Sequence, residues 1–194
     1  MSASLPLHPT PISQLQHFST PRLTRALSGY GGQLKLHTGQ VVDVTVTSVQ
    51  VYGLFCRCDG DTDLLVRIPE ISWTASFCSC DQIAKTGDSV TVKILAVDES
   101  SGRISGSIRQ RFSDPWKTDA LDVGQTYAAT VIRHVESADR CDDGPAYLLE
   151  IAPGAFAMLC TCESDLVVGK TCDVTITESK PEVRAIAITR ANAG

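Results

Sequence analysis

The sequence predicts an all-β protein of two tandem five-stranded barrels preceded by a flexible N-terminal arm, and three observations carry that expectation. From Gly39 onward, short β-rich runs alternate with Gly and Asp clusters at the spacing of barrels and sandwiches. The same order of elements recurs 81 to 85 residues later. The 194 residues, 43% hydrophobic and 20% charged, are enough for two small cores and have the composition of a folded chain.

Residues 1–37 read as the arm. Pro6, Pro9, Pro11 and Pro21 stand among Ser, Thr and Gln without sustained periodicity, apart from a short helix expected from about Ser13 or Pro21 to Leu27. Arg22, Arg25 and Lys35 meet no acid there, so the arm is basic. An arm on a cytoplasmic protein is the expectation; a transit peptide over residues 1–30, with an organelle matrix as destination, is the alternative.

Residues 38–112 form the first expected barrel. Its strands are Val41 to Val49, Gly53 to Cys58, Asp63 to Ile68, Ser89 to Val97 and Arg103 to Arg109. Turn chemistry separates them at Asp59-Gly60-Asp61 and at Asp98 to Gly102. The longer stretch Pro69 to Gly87 has room for an extra turn or helix. Residues 113–122, with Asp114-Pro115-Trp116, read as a linker whose tryptophan can pack on a barrel. Residues 123–191 form the second barrel: Gly39-Gln40 returns as Gly124-Gln125, Gly87 as Gly169, and the Arg103–Arg109 strand as Arg184–Arg190 at an offset of 81.

Three Cys-x-Cys pairs, Cys56 with Cys58, Cys78 with Cys80 and Cys160 with Cys162, have a spacing shorter than zinc motifs use. On a strand Cys56 and Cys58 share a face, and with Leu54 they pack inward as small reduced hydrophobes. No metal site and no cofactor is expected, the rival being zinc binding or oxidation at these pairs. The same alternation turns Phe55 and Arg57 outward, an aromatic ring beside a cation.

Residues 39–109 carry Gly39-Gln40-Val41-Val42, Tyr52-Gly53-Leu54-Phe55, Val66-Arg67-Ile68-Pro69-Glu70-Ile71-Ser72-Trp73, Gly87-Asp88-Ser89-Val90, the run Val92 to Asp98, and Gly102-Arg103-Ile104. In this order they resemble the RNA-binding repeat of the largest small-subunit ribosomal protein, the S-one type of OB-fold. A divergent copy is expected at about 124–190. The resemblance implies an RNA site of five residues: Tyr52 and Phe55 as stacking rings, Arg67 where the family often has His, and Asp98 and Arg103 as polar and basic partners. The chain departs from the family pattern with Leu64 at a usual glycine, Pro69 at a usual serine and Gly106 at a usual leucine, the last marking a bulge.

The expected function is therefore that of a ribosome-associated or translation-linked accessory protein binding single-stranded RNA, with single-stranded DNA as a second ligand. The second copy has no aromatic-Gly-x-Phe element and holds 12 acids against 6 bases over residues 119–194, so a ribosome or protein contact, or bracing of the first barrel, is expected of it. The rival reading has both barrels serving protein interaction alone. No nucleophile–base constellation, phosphate-cradling loop or catalytic residue is visible, which argues for binding and against an enzyme. No apolar run reaches the roughly 18 residues of a membrane span.

Overall fold

A computed structural model describes residues 36–58, 62–77, 79–118, 121–135, 145–161 and 166–191. The expected N-terminal arm and its short helix lie outside them. The first five strands are β1 (Val41–Gln50), β2 (Gly53–Cys58), β3 (Thr62–Arg67), β4 (Ser89–Asp98) and β5 (Arg103–Ser107), with a one-turn helix α1 (Cys80–Ile83) between β3 and β4. They close in the order β1-β2-β3-β5-β4, and β4 pairs back onto β1. Leu54, Cys56, Val66, Val92 and Ile94 fill the interior with no exposure. The second set is β6 (Thr126–Val135), β7 (Ala146–Ala152), β8 (Ala155–Cys160), β9 (Thr171–Lys180) and β10 (Ala185–Arg190), in the order β10-β9-β6-β7-β8. No helix among the described residues is long and apolar enough to cross a membrane.

The repeat is visible bond by bond. β1 against β2 skips a residue between Val46 and Ser48, and β6 against β7 does so between Val131 and Arg133, each 85 residues on. β4 skips at Leu95 opposite Ser105 and Gly106, and β9 skips at the matching residue, with Ile176 and Glu178 opposite Ile188 and Ala187. Bulges recurring at matched positions are built features of a fold and not accidents of it. They also correct the sequence offset. Asp98 pairs with Arg103 as Lys180 pairs with Ala185, so the last strand is displaced by 82 residues, not 81, and Arg184 corresponds to Gly102.

The two departures at Leu64 and Gly106 compensate each other. Both face the barrel interior, and a Cβ built on Gly106 would lie 3.2 Å from Leu64 Cδ1 and 3.4 Å from Val92 Cγ2. Leu64 on β3 fills the space that a leucine at Gly106 on β5 would take, so relative to the pattern that the resemblance implies the core volume is kept. Leu64→Gly alone should cost about 2–5 kcal/mol by cavity formation, and Gly106→Leu alone about 1–3 kcal/mol by overpacking. The double variant should cost clearly less than the sum in urea unfolding. Additive costs would show that the two positions do not share a volume.

The barrels are joined by residues 72–76, which follow β3 after the 3-10 turn Ile68–Glu70 and Ile71. This strap runs between β8 and β10 and bonds to both. Trp73 N donates to Gly154 O at 2.8 Å and Ala75 N to Arg184 O at 2.7 Å, while Ser76 bridges to Ala157 in parallel. The buried hydroxyls at every second position complete the stitching. Ser72 Oγ accepts from Phe156 N, Thr74 Oγ1 donates to Phe156 O, and Ser76 Oγ both donates to Ile186 O and accepts from Ile186 N.

Trp73 sits in the second barrel's core with Leu121, Val131 and Tyr147, with the Arg109 guanidinium 4.6 Å and that of Arg184 5.5 Å from its ring centroid. Glu70 holds Arg109 at 3.1 Å. Burial alone would raise the Glu70 carboxyl, but Ser107, Gln110 and Arg109 outweigh it and keep the group below its ordinary value. Trp116 does pack here: its Nε1 donates to Trp73 O at 2.7 Å.

Candidate nucleic-acid interface

The interface is built on the start of β2 and the end of β3. Gly53 pairs with Arg67, and a Cβ at Gly53 would collide with the Val66 carbonyl oxygen, so the glycine of the Tyr-Gly-Leu-Phe run permits the close approach of these strands. Ile68 N donates to Tyr52 O at 3.1 Å, fixing the turn beside them. Alternation along β2 buries Leu54, Cys56 and Cys58 and leaves Phe55 half-buried and Arg57 exposed. Burial pushes the Cys56 thiol up to about 12, as suits a packing group and not a reactive one. Cys160, in contrast, is disulfide-bonded, so the reduced state expected for Cys56 and Cys58 does not extend to it.

Tyr52 is 53% exposed, which removes the reading of this ring as core. It meets Phe55 edge to face, with centroids 6.0 Å apart and planes at 84°. Phe55 lies between Ser48 of β1 and Leu65 of β3, and Leu65 pairs with Ser105 of β5. Because β3 and β5 run parallel there, Arg67 lies two residues beyond this row and Arg103 two residues before it. At about 3.3 Å per residue the two cations bracket Phe55 over roughly 13 Å, and Tyr52 lies one residue beyond the Gly53–Arg67 pair, on the Arg67 side. Neither has an ion-pair partner among the described residues, whereas Arg57 pairs with Asp63 at 2.9 Å.

Asp98 is differently employed. Its carboxylate accepts from the hydroxyls and backbone N–H groups of Ser100 and Ser101, and these bonds, the Ser100 hydroxyl first, hold it well below the usual carboxylate range. It orders the turn that delivers Arg103. The sequence reading did not single out Val51, 89% exposed, or Ile68, exposed at the same edge as Tyr52. The signal available was two apolar residues flanking the ring and the cation.

The pairing registers locate the same five positions in the second barrel. Ser48 opposes Phe55 as Arg133 opposes Leu148, and Phe55 opposes Leu65 as Leu148 opposes Met158. Carried through, Tyr52, Phe55, Arg67, Asp98 and Arg103 become Pro145, Leu148, Cys160, Lys180 and Ala185. Both rings and both guanidinium groups are gone.

Comparison with known proteins fits this geometry. Residues 35–109 match the family described as S1 RNA binding domain. General stress protein 13 of Bacillus subtilis is 40% identical over 87 residues, covering 44% of this chain and 65% of that protein. The small ribosomal subunit protein bS1 of Leuconostoc lactis is 40% identical over 101 residues, 51% of this chain and 23% of that protein. A polyribonucleotide nucleotidyltransferase of Streptococcus thermophilus is 32% identical over 96 residues, 50% of this chain and 13% of the enzyme. The chain thus spans less than two thirds of each of these relatives.

Proposed function

Residues 35–109 are an S1 RNA binding domain, and from that premise we propose that the chain holds single-stranded RNA on the first barrel by base stacking on Tyr52 and Phe55, with Arg67 and Arg103 attracting the phosphates at either side. The observation that carries this is the pair of rings outside the core, with Arg67 and Arg103 on either side of Phe55 and without an ion-pair partner among the described residues. Each ring can hold a base with about 1–3 kcal/mol, and stacking tolerates any sequence because every base has a π-face. The reading is of binding without catalysis: rings and guanidinium groups grip a strand but neither attack it nor move its protons. Single-stranded DNA satisfies the same contacts and is a second ligand in this proposal. A role alongside the ribosome, in the cytoplasm, belongs to the proposal in the same way.

Two cations set the electrostatic share. With about 0.7 counterions released per phosphate contact on single strands, these two contacts give a slope of log affinity against log salt of about −1.4, and two further contacts would bring it to about −3. Fluorescence anisotropy of a labelled single-stranded RNA at several salt concentrations measures it. A slope far steeper would place the contact on another, more basic surface. Absence of binding at tens of micromolar would end the RNA reading.

A further inference from the structure

The second barrel keeps the strand plan of an RNA-binding barrel, and what covers the face matching the first barrel's rings is visible. Leu148, at the position of Phe55, has no exposure, and Phe156, at the position of Asp63, has 5%. Both join Ala146 and Val135 in one buried cluster with Ile71, Ile83 and Ala84 of the first barrel's β3–β4 connection. The strap lies along the adjoining β8 and β10, and Arg133 of β6 reaches across to Asp88 at 2.6 Å. Of that face, the β9–β10 side remains open, and it presents Glu178, Lys180, Ala185 and Ala187 without a ring.

Arg184 bears on the same point. It stands where the first barrel has Gly102 at φ +67°, and it adopts φ +54° itself, a conformation that L side chains other than Asn and Asp rarely take. Its carbonyl receives Ala75 N, its guanidinium reaches Asp114 at 3.3 Å, and it lies over Trp73. An arginine in a glycine's conformation is held there by contacts to the strap and the linker, all of them across the junction of the barrels.

We infer that the second barrel has converted the ring-bearing half of its ligand face into a fixed dock for the first barrel's β3–β4 connection, so that the chain has one RNA site and not two. The site count rests on the function proposed above; the dock does not. Titration calorimetry of the full chain with a single-stranded RNA of about eight nucleotides, within the footprint of one such barrel, reads the count directly. One strand per chain is expected, bound at least about thirtyfold more weakly by the Tyr52→Ala, Phe55→Ala variant. Two strands per chain, or one bound by that variant with an affinity within threefold of wild type, would overturn the inference.

If the wild type binds no strand, the proposed function fails, and the dock is judged by hydrogen exchange. Leu148→Ala should speed exchange at the Ala84 amide of the first barrel by at least about tenfold, together with that at Ile186. Faster exchange confined to the second barrel, with Ala84 unchanged, would show two independent bodies and refute the dock.

Discussion

Replacing Tyr52 and Phe55 together by alanine is expected to weaken single-stranded RNA binding by at least about thirtyfold, since two stacked bases at about 1 kcal/mol each are the lower bound and about 3 kcal/mol each the upper. Tyr52 is half exposed and Phe55 half-buried on the outer face, so the double variant should keep the fold. Circular dichroism checks the fold and anisotropy the affinity. The single variants should divide the effect unequally, because Phe55 is fixed between Ser48 and Leu65 while Tyr52 projects from a turn. An affinity within threefold of wild type in the folded double variant would refute the stacking site, whatever else binds RNA.

Trp73→Ala should be the most destabilising single substitution at the junction of the two barrels. Removing a buried tryptophan costs about 3–5 kcal/mol, a large part of the 5–15 kcal/mol that a domain of ordinary stability has. Because Trp73 grows from the first barrel's chain and packs in the second barrel's core, both barrels should unfold earlier in urea, in one transition. The variant retains Trp116 alone, whose Nε1 bonds to the backbone of residue 73, so its fluorescence reports on the junction itself. A loss below about 1 kcal/mol, or two separated transitions, would mean that the strap is decorative.

Much of this was legible in the residues. Period-two alternation from Leu54 to Cys58 places Phe55 outside without any structure, because a strand whose neighbours are buried leaves its ring nowhere else to go. The second barrel's loss of rings was equally plain. What could not be read was register: bulges at Leu95 and at its counterpart on β9 shift pairing by one residue, and matching Arg103 to Arg184 by residue type conceals that Arg184 is a glycine position.

The strap was invisible for a related reason. Ser72, Thr74 and Ser76 look like a polar loop, and the carbonyls they satisfy lie 82 to 110 residues away, a distance no local pattern crosses. The exchange of size between Leu64 and Gly106 showed up as two departures from a family pattern, and only their contact shows them to be one change.

Closure of the second sheet by a segment of the first has a consequence for company. An open strand at the margin of a sheet offers a row of free N–H and C=O groups, the template for strand addition by partner peptides and for edge-to-edge polymerisation. Here β8 and β10, the two margins of the second sheet, both spend such groups on residues 72–76 of the same chain. A peptide that adds a strand at those positions must first displace the strap, and a chain whose strap has come loose should be the form that aggregates.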